Sequence, residues 1–107
     1  TSGTGMPAYM RAFRFLMWRL EFTKEADAGE KLIQFLKENQ VSPVFLCKAV
    51  NTMASDEFSM LCEIMELTLE AKMFRHTYWL LLKMQRLAPG EESIRQMIEG
   101  LKAYVTG

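Results

Sequence analysis

The sequence predicts an all-α protein of five or six antiparallel helices, packed as a compact bundle or as stacked helical hairpins. Three observations carry this reading. Apolar residues recur at i, i+3, i+4 and i+7 through most of the chain, which is the period of one helix face. No segment alternates apolar and polar residues long enough to form a half-buried strand. The three prolines and six glycines fall mostly at boundaries, and the short links make sequential helices antiparallel neighbours.

The opening Thr1-Ser2-Gly3-Thr4-Gly5 is small and flexible and reads as a cloning remnant, so residues 1–5 are set aside and 6–107 form a single α-helical domain. Pro7 suits a first helical position, since its φ is preset and its missing N–H would have had no partner there. The first helix is expected over 7–24. Asp27 and Glu30 are spaced as a capping box, so a second helix should follow Asp27 and end near Asn39. Leu32, Phe35 and Leu36 recur at helical spacing, with Ile33 beside them.

After the link Gln40-Val41, Ser42-Pro43 is a cap followed by a first-turn proline. The third helix it opens is apolar on most sides, from Val44 to Met53, which predicts a central position. Ser55 is expected to cap the fourth helix, with Asp56 and Glu57 at the positive end of its dipole, and the helix should reach about Ala71. Residues 72–76 are expected to turn; one long helix is the alternative, because no Gly or Pro marks a break. The fifth helix covers 77–87 and stops at Pro89-Gly90. The sixth, over 91–105, has an apolar stripe of Ile94, Met97, Ile98, Leu101, Tyr104 and Val105. Gly100 costs it about 1 kcal/mol in propensity and marks either an open surface or a close helix crossing.

Composition narrows the function classes. A chain of 107 residues, half apolar and about a quarter charged, fits one folded domain. Thirteen basic residues balance thirteen acidic ones, against a dedicated duplex nucleic-acid binder, though a local basic patch remains open. Cys47 and Cys62 lie in apolar stretches and read as buried thiols, which suits a reducing intracellular compartment. No run reaches about 18 apolar residues, so no membrane span is expected. The nine methionines fill the core or line an adaptable groove that accepts an amphipathic helix.

Two short segments carry a resemblance. Lys37-Glu38-Asn39-Gln40-Val41-Ser42-Pro43 resembles the end of a pentatricopeptide motif, and Leu87-Ala88-Pro89-Gly90 resembles a tetratricopeptide-type hairpin junction. Both imply stacked helical hairpins. Each covers few residues, and the chain shows no self-similarity at about 33 to 35 residues. No nucleotide-reading residues are carried over.

The first helix has two apolar faces. Tyr9, Met10, Phe13, Leu16, Met17 and Leu20 make one, wide enough to pack on the domain's own core. Phe15, Trp18 and Phe22 make the other, with Arg11 on the same line and Arg14 and Arg19 flanking it. Either both faces are buried within this chain, or the second meets a partner. Aromatic rings and arginines are enriched at interface centres, which favours the partner. Glu63, Glu66 and Glu70 form an acidic line on the fourth helix, joined by Ser59, that is a solvated face or meets a basic partner or a second copy.

Catalytic and metal signatures do not stand out. His76 is the one histidine and has no ligand-forming neighbour at metal-site spacing. There is no glycine-rich phosphate loop and no serine elbow. The expectation is therefore a non-enzymatic interaction module without cofactor, metal or small-molecule substrate, binding a protein partner or itself. The alternative is RNA bound by the same helix, its bases stacked on the rings and its phosphates on the arginines.

Overall fold

The computed structural model describes residues 8–106, where the periodic segments become six α-helices and no strand. α1 spans Ala8–Trp18, and the chain then winds on through a π turn, Arg19–Thr23. α2 is Ala28–Glu38, α3 Pro43–Met53, α4 Glu57–Glu70, α5 Phe74–Leu87 and α6 Glu92–Thr106. The expected start at Pro7 and the side chain of Tyr9 lie outside the described residues.

The helix ends follow from local chemistry, and two of them differ from expectation. Ser42 caps α3 as its type requires, its Oγ accepting from the Phe45 amide at 3.1 Å, with Pro43 in the first turn. α4 is capped by Asp56 rather than Ser55: Asp56 accepts from the amide and the hydroxyl of Ser59. Ser55 instead donates its hydroxyl to Glu21 at 2.7 Å, tying the start of α4 to the π turn. Nor do Asp27 and Glu30 form a capping box. Asp27 is already helical in its backbone and caps nothing; its carboxylate pairs with Arg19 and Lys31.

α2 and α4 both stop by a left-handed residue without glycine. Gln40 (φ 50°) and Lys72 (φ 61°) take that conformation. The next amides, Val41 and Met73, reach back to the carbonyls of Leu36 and Thr68 at 3.0 and 2.8 Å. This double back-bonding satisfies orphan carbonyls, and Val41 buries its side chain as the motif's apolar contact. The break between α4 and α5 is therefore real but shorter than the expected 72–76. α5 starts at Phe74, so His76 is helical.

The helices stack in two layers. α3 packs against α1 and α5; behind them α2 packs against α4, and α6 covers α5. Phe13 sits where α1, α2 and α3 meet, fully buried, with ring centroids 5.9 Å from Phe35 and 5.3 Å from Phe45. Met17 and Leu20 continue the same side of α1 into the core. Burying side chains of this size stabilises the fold by about 1.5–3 kcal/mol each. α3 contributes Leu46, Cys47, Ala49 and Val50, as its apolar character predicts. Thr68 and Thr77 are buried between α4 and α5, bonded to each other at 2.8 Å and within reach of the Met65 and Met73 carbonyls.

The tight helix crossing falls at Gly29 rather than Gly100. A Cβ on Gly29 would stand 2.8 Å from Leu67 Cδ2, whereas one on Gly100 would meet nothing within 4 Å. Tyr104 also departs from expectation: it is exposed, with its ring resting on Phe74 at 4.9 Å.

Two expected outcomes follow. Gly29→Val should lower the unfolding free energy by about 1–3 kcal/mol through crowding against Leu67, while Gly100→Ala should raise it by about 0.5–1 kcal/mol; urea melts compare the two. Ser42→Ala should cost about 1 kcal/mol in the same assay.

Candidate interaction surface

Once Phe13, Met17 and Leu20 turn inward, helical periodicity sends Phe15, Trp18 and Phe22 outward. They are 58%, 51% and 55% exposed. The rings lie on one another as a continuous ladder: Phe15 and Trp18 have centroids 6.3 Å apart, and Trp18 and Phe22 6.0 Å. Large apolar rings exposed in a row are uncommon on the surface of a monomer.

The six sequence-predicted cations and rings of α1 do not act alike. Arg11 and Arg14 are exposed, and among the described residues neither forms an ion pair. Arg19 instead points back into the structure. Its guanidinium pairs with Glu25 and Asp27 and lies 5.9 Å from the Phe15 ring centroid. It fastens the end of α1 to the start of α2 and is a structural cation rather than part of a free rim.

The π turn is held by polar contacts on its inner side. Thr23 Oγ1 donates to the Arg19 carbonyl at 2.6 Å, and the Lys24 amide reaches the same oxygen at 3.1 Å, which widens the turn by one residue. Glu21 accepts from Ser55, and Lys24 pairs with Glu63 at 3.3 Å. With these contacts on one side, the aromatic ladder occupies the side left open.

The acidic line on α4 is likewise divided. Glu63 is engaged by Lys24, while Glu66 and Glu70 are exposed. All three line a shallow hollow of about 230 Å³ with Glu25 and Gly29, on the α2–α4 side, away from the ladder. Ser59 does not join them, being bonded to Asp56.

Two grooves border the aromatic ladder. One of about 330 Å³ lies between α1 and α3, with Met10, Phe13, Phe45 and Met53 as apolar lining and Arg14 and Lys48 as cations. It adjoins a hollow of about 460 Å³ that shares Arg14, Thr52 and Met53 and is walled by the ladder itself. Between α3 and α5 lies a smaller pocket of about 180 Å³, with Val44, Cys47, Trp79 and Leu82 beside Lys48, Lys83 and Arg86. Sequence reasoning missed Val44, Lys48, Trp79 and Arg86 as surface residues of one face. Their signal was present as rows at i, i+4 and i+7: Val44-Lys48-Asn51 on α3, and Trp79-Lys83-Arg86 on α5.

His76 Nε2 donates to the Val41 carbonyl at 2.6 Å, joining α5 to the α2–α3 link. Among the described residues no three His, Cys, Asp or Glu side chains gather as metal ligands. Cys47 and Cys62 are free thiols. Burial pushes both above the usual thiol range; at Cys47 nearby Lys83 opposes the rise. No helix is long and apolar enough to cross a membrane among the described residues.

No protein-family model, no curated protein and no solved structure matches this chain.

The thiols yield an expected outcome with a definite sign. The folded state holds their protons more tightly than the unfolded chain, so their contribution to stability is complete below the ordinary thiol pKa of about 8.5. It is lost as pH rises through the folded values. Iodoacetamide should therefore label the native protein more slowly than the urea-unfolded protein at pH 8, with Cys47 behind Cys62. Urea midpoints should fall between pH 8 and pH 10 in the natural chain, and less in Cys47→Ala.

Proposed function

We propose that this domain is a non-enzymatic module that binds another protein through the outward face of α1. The observation that supports the reading is the ladder of Phe15, Trp18 and Phe22, each more than half exposed, beside the apolar-lined groove between α1 and α3. Water on such a surface is released when a partner covers it, at about 25 cal/mol per Å² of apolar area. Arg11 and Arg14 edge the ladder and suit the polar rim of an interface. The two unpaired thiols suit a reducing compartment.

RNA is the weaker reading. Arg19, one of the three cations beside the rings, is occupied by Glu25 and Asp27, and the chain has no net positive charge.

Trp18→Ser with Phe22→Ser should leave far-UV dichroism unchanged and the melting temperature within a few degrees, because neither ring is in the core. Light scattering on natural and doubly substituted protein then separates the occupants. A dimer that becomes a folded monomer identifies self-association. A monomer in both cases assigns the face to a different protein. Collapse of the fold in the double variant would show that the rings stabilise the domain itself, and the proposal would be lost.

A further inference from the structure

The balanced net charge conceals a division between the two layers. α1 with its π turn, α3 and α5 hold seven bases and one acid, Glu21, whose carboxylate is bonded to Ser55. α2, α4 and α6 hold four bases and eight acids. On the first layer Lys48 lines both the α1–α3 groove and the α3–α5 pocket, so the two open on the same surface with the exposed row of α3 as the ridge between them. Arg14 stands across one groove from Lys48 and Arg86 across the other. All three are exposed, and among the described residues none forms an ion pair. Lys83, by contrast, is paired with Glu57.

We infer that the face formed by α1, α3 and α5 docks an acidic amphipathic helix, its apolar side over the α1–α3 groove and its carboxylates against Arg14, Lys48 and Arg86. This rests on α1 as the partner-facing element and adds the partner's chemistry. The groove lies between two packed helices, and such a groove takes the side-chain ridge of a third helix laid along it. Its lining of Met10, Phe45 and Met53 suits aliphatic anchors, and methionine adapts to their shape. The cations sit on the ridges, where carboxylates flanking an apolar stripe would meet them, and the unneutralised charge would speed encounter and select the sign of the partner. A second copy of this chain does not supply the match. Its acidic helix, α4, carries no exposed large apolar side chain, so it offers charge without anchors.

Both tryptophans, Trp18 and Trp79, line this face, so binding reads directly on intrinsic fluorescence. The probe is a synthetic helical peptide with leucine at i, i+4, i+7 and i+11 and glutamate on either side of that stripe. The controls are the same peptide with lysine for glutamate, and a single-stranded oligouridine. The glutamate peptide should shift tryptophan emission to the blue and the lysine peptide should not. Lys48→Glu with Arg86→Glu should weaken glutamate-peptide binding by about tenfold or more, with unchanged melting. Equal binding of the two peptides, no shift with the glutamate peptide, or undiminished binding by the charge-reversed variant would each overturn the inference. Retention of oligouridine alone would replace the acidic helix with single-stranded RNA. If binding is lost in Trp18→Ser with Phe22→Ser but kept on charge reversal, α1 still faces a partner and only the acidic chemistry fails.

Discussion

The structure depends on where Phe13 goes. Its ring is closed off between Phe35 of α2 and Phe45 of α3, so one side chain fixes the rotation of α1 against two other helices at once. A helix that turns one side inward carries the opposite side away from that contact. With Phe13, Met17 and Leu20 inside, residues two and five positions from Phe13 must face out, and the sequence puts rings there. The exposed ladder is thus a geometric consequence of the core contact. A fold that buried the ladder as well would need a further element packed over the outer side of α1.

The π turn extends this constraint. Beside buried Met17 and Leu20, the end of α1 is tied by polar contacts through Arg19, Glu21 and Lys24 to the start of α2, the α3–α4 link and α4. Exposed ion pairs contribute little each. The value of these ion pairs and of the Glu21–Ser55 hydrogen bond is geometric: they reach different elements, and together they hold the orientation of the last turn before the chain reverses at Lys24, which takes a left-handed conformation.

Much of the architecture was legible in the residues. Periodicity marked all six helices, and Ser42-Pro43 and Pro89-Gly90 marked two boundaries because caps and breakers act locally. What failed to read was decided by tertiary partners. Ser55 and Asp56 are both competent caps, and the choice fell to Asp56 because Glu21, far away in sequence, took Ser55. Asp27 lost its capping role to Arg19 and Lys31. Gln40 and Lys72 end their helices in a conformation that favours glycine, and no composition rule flags them. Gly29 and Gly100 look alike along the chain; only the neighbour across α2 and α4 separates them. The outward rings of α1 were recognisable from their spacing. Nothing along the chain marked Arg19 as a paired cation, since Glu25 and Asp27 become its partners only once the chain turns at Lys24. Lys48 and Trp79 could not be joined to α1 before the helices were known to lie side by side.

The uneven distribution of charge between the layers has a physical consequence of its own. A body with no net charge but an excess of opposite signs on its two sides has an electric dipole moment. In a uniform field it would not drift, yet it would turn. Near any charged surface, at separations within the Debye length of about 10 Å at 0.1 M salt, it would present one side preferentially before any contact forms. Neutrality by summation therefore does not make this molecule electrostatically inert. It makes it a compass needle, which the field around it turns to one side as a charged partner draws near.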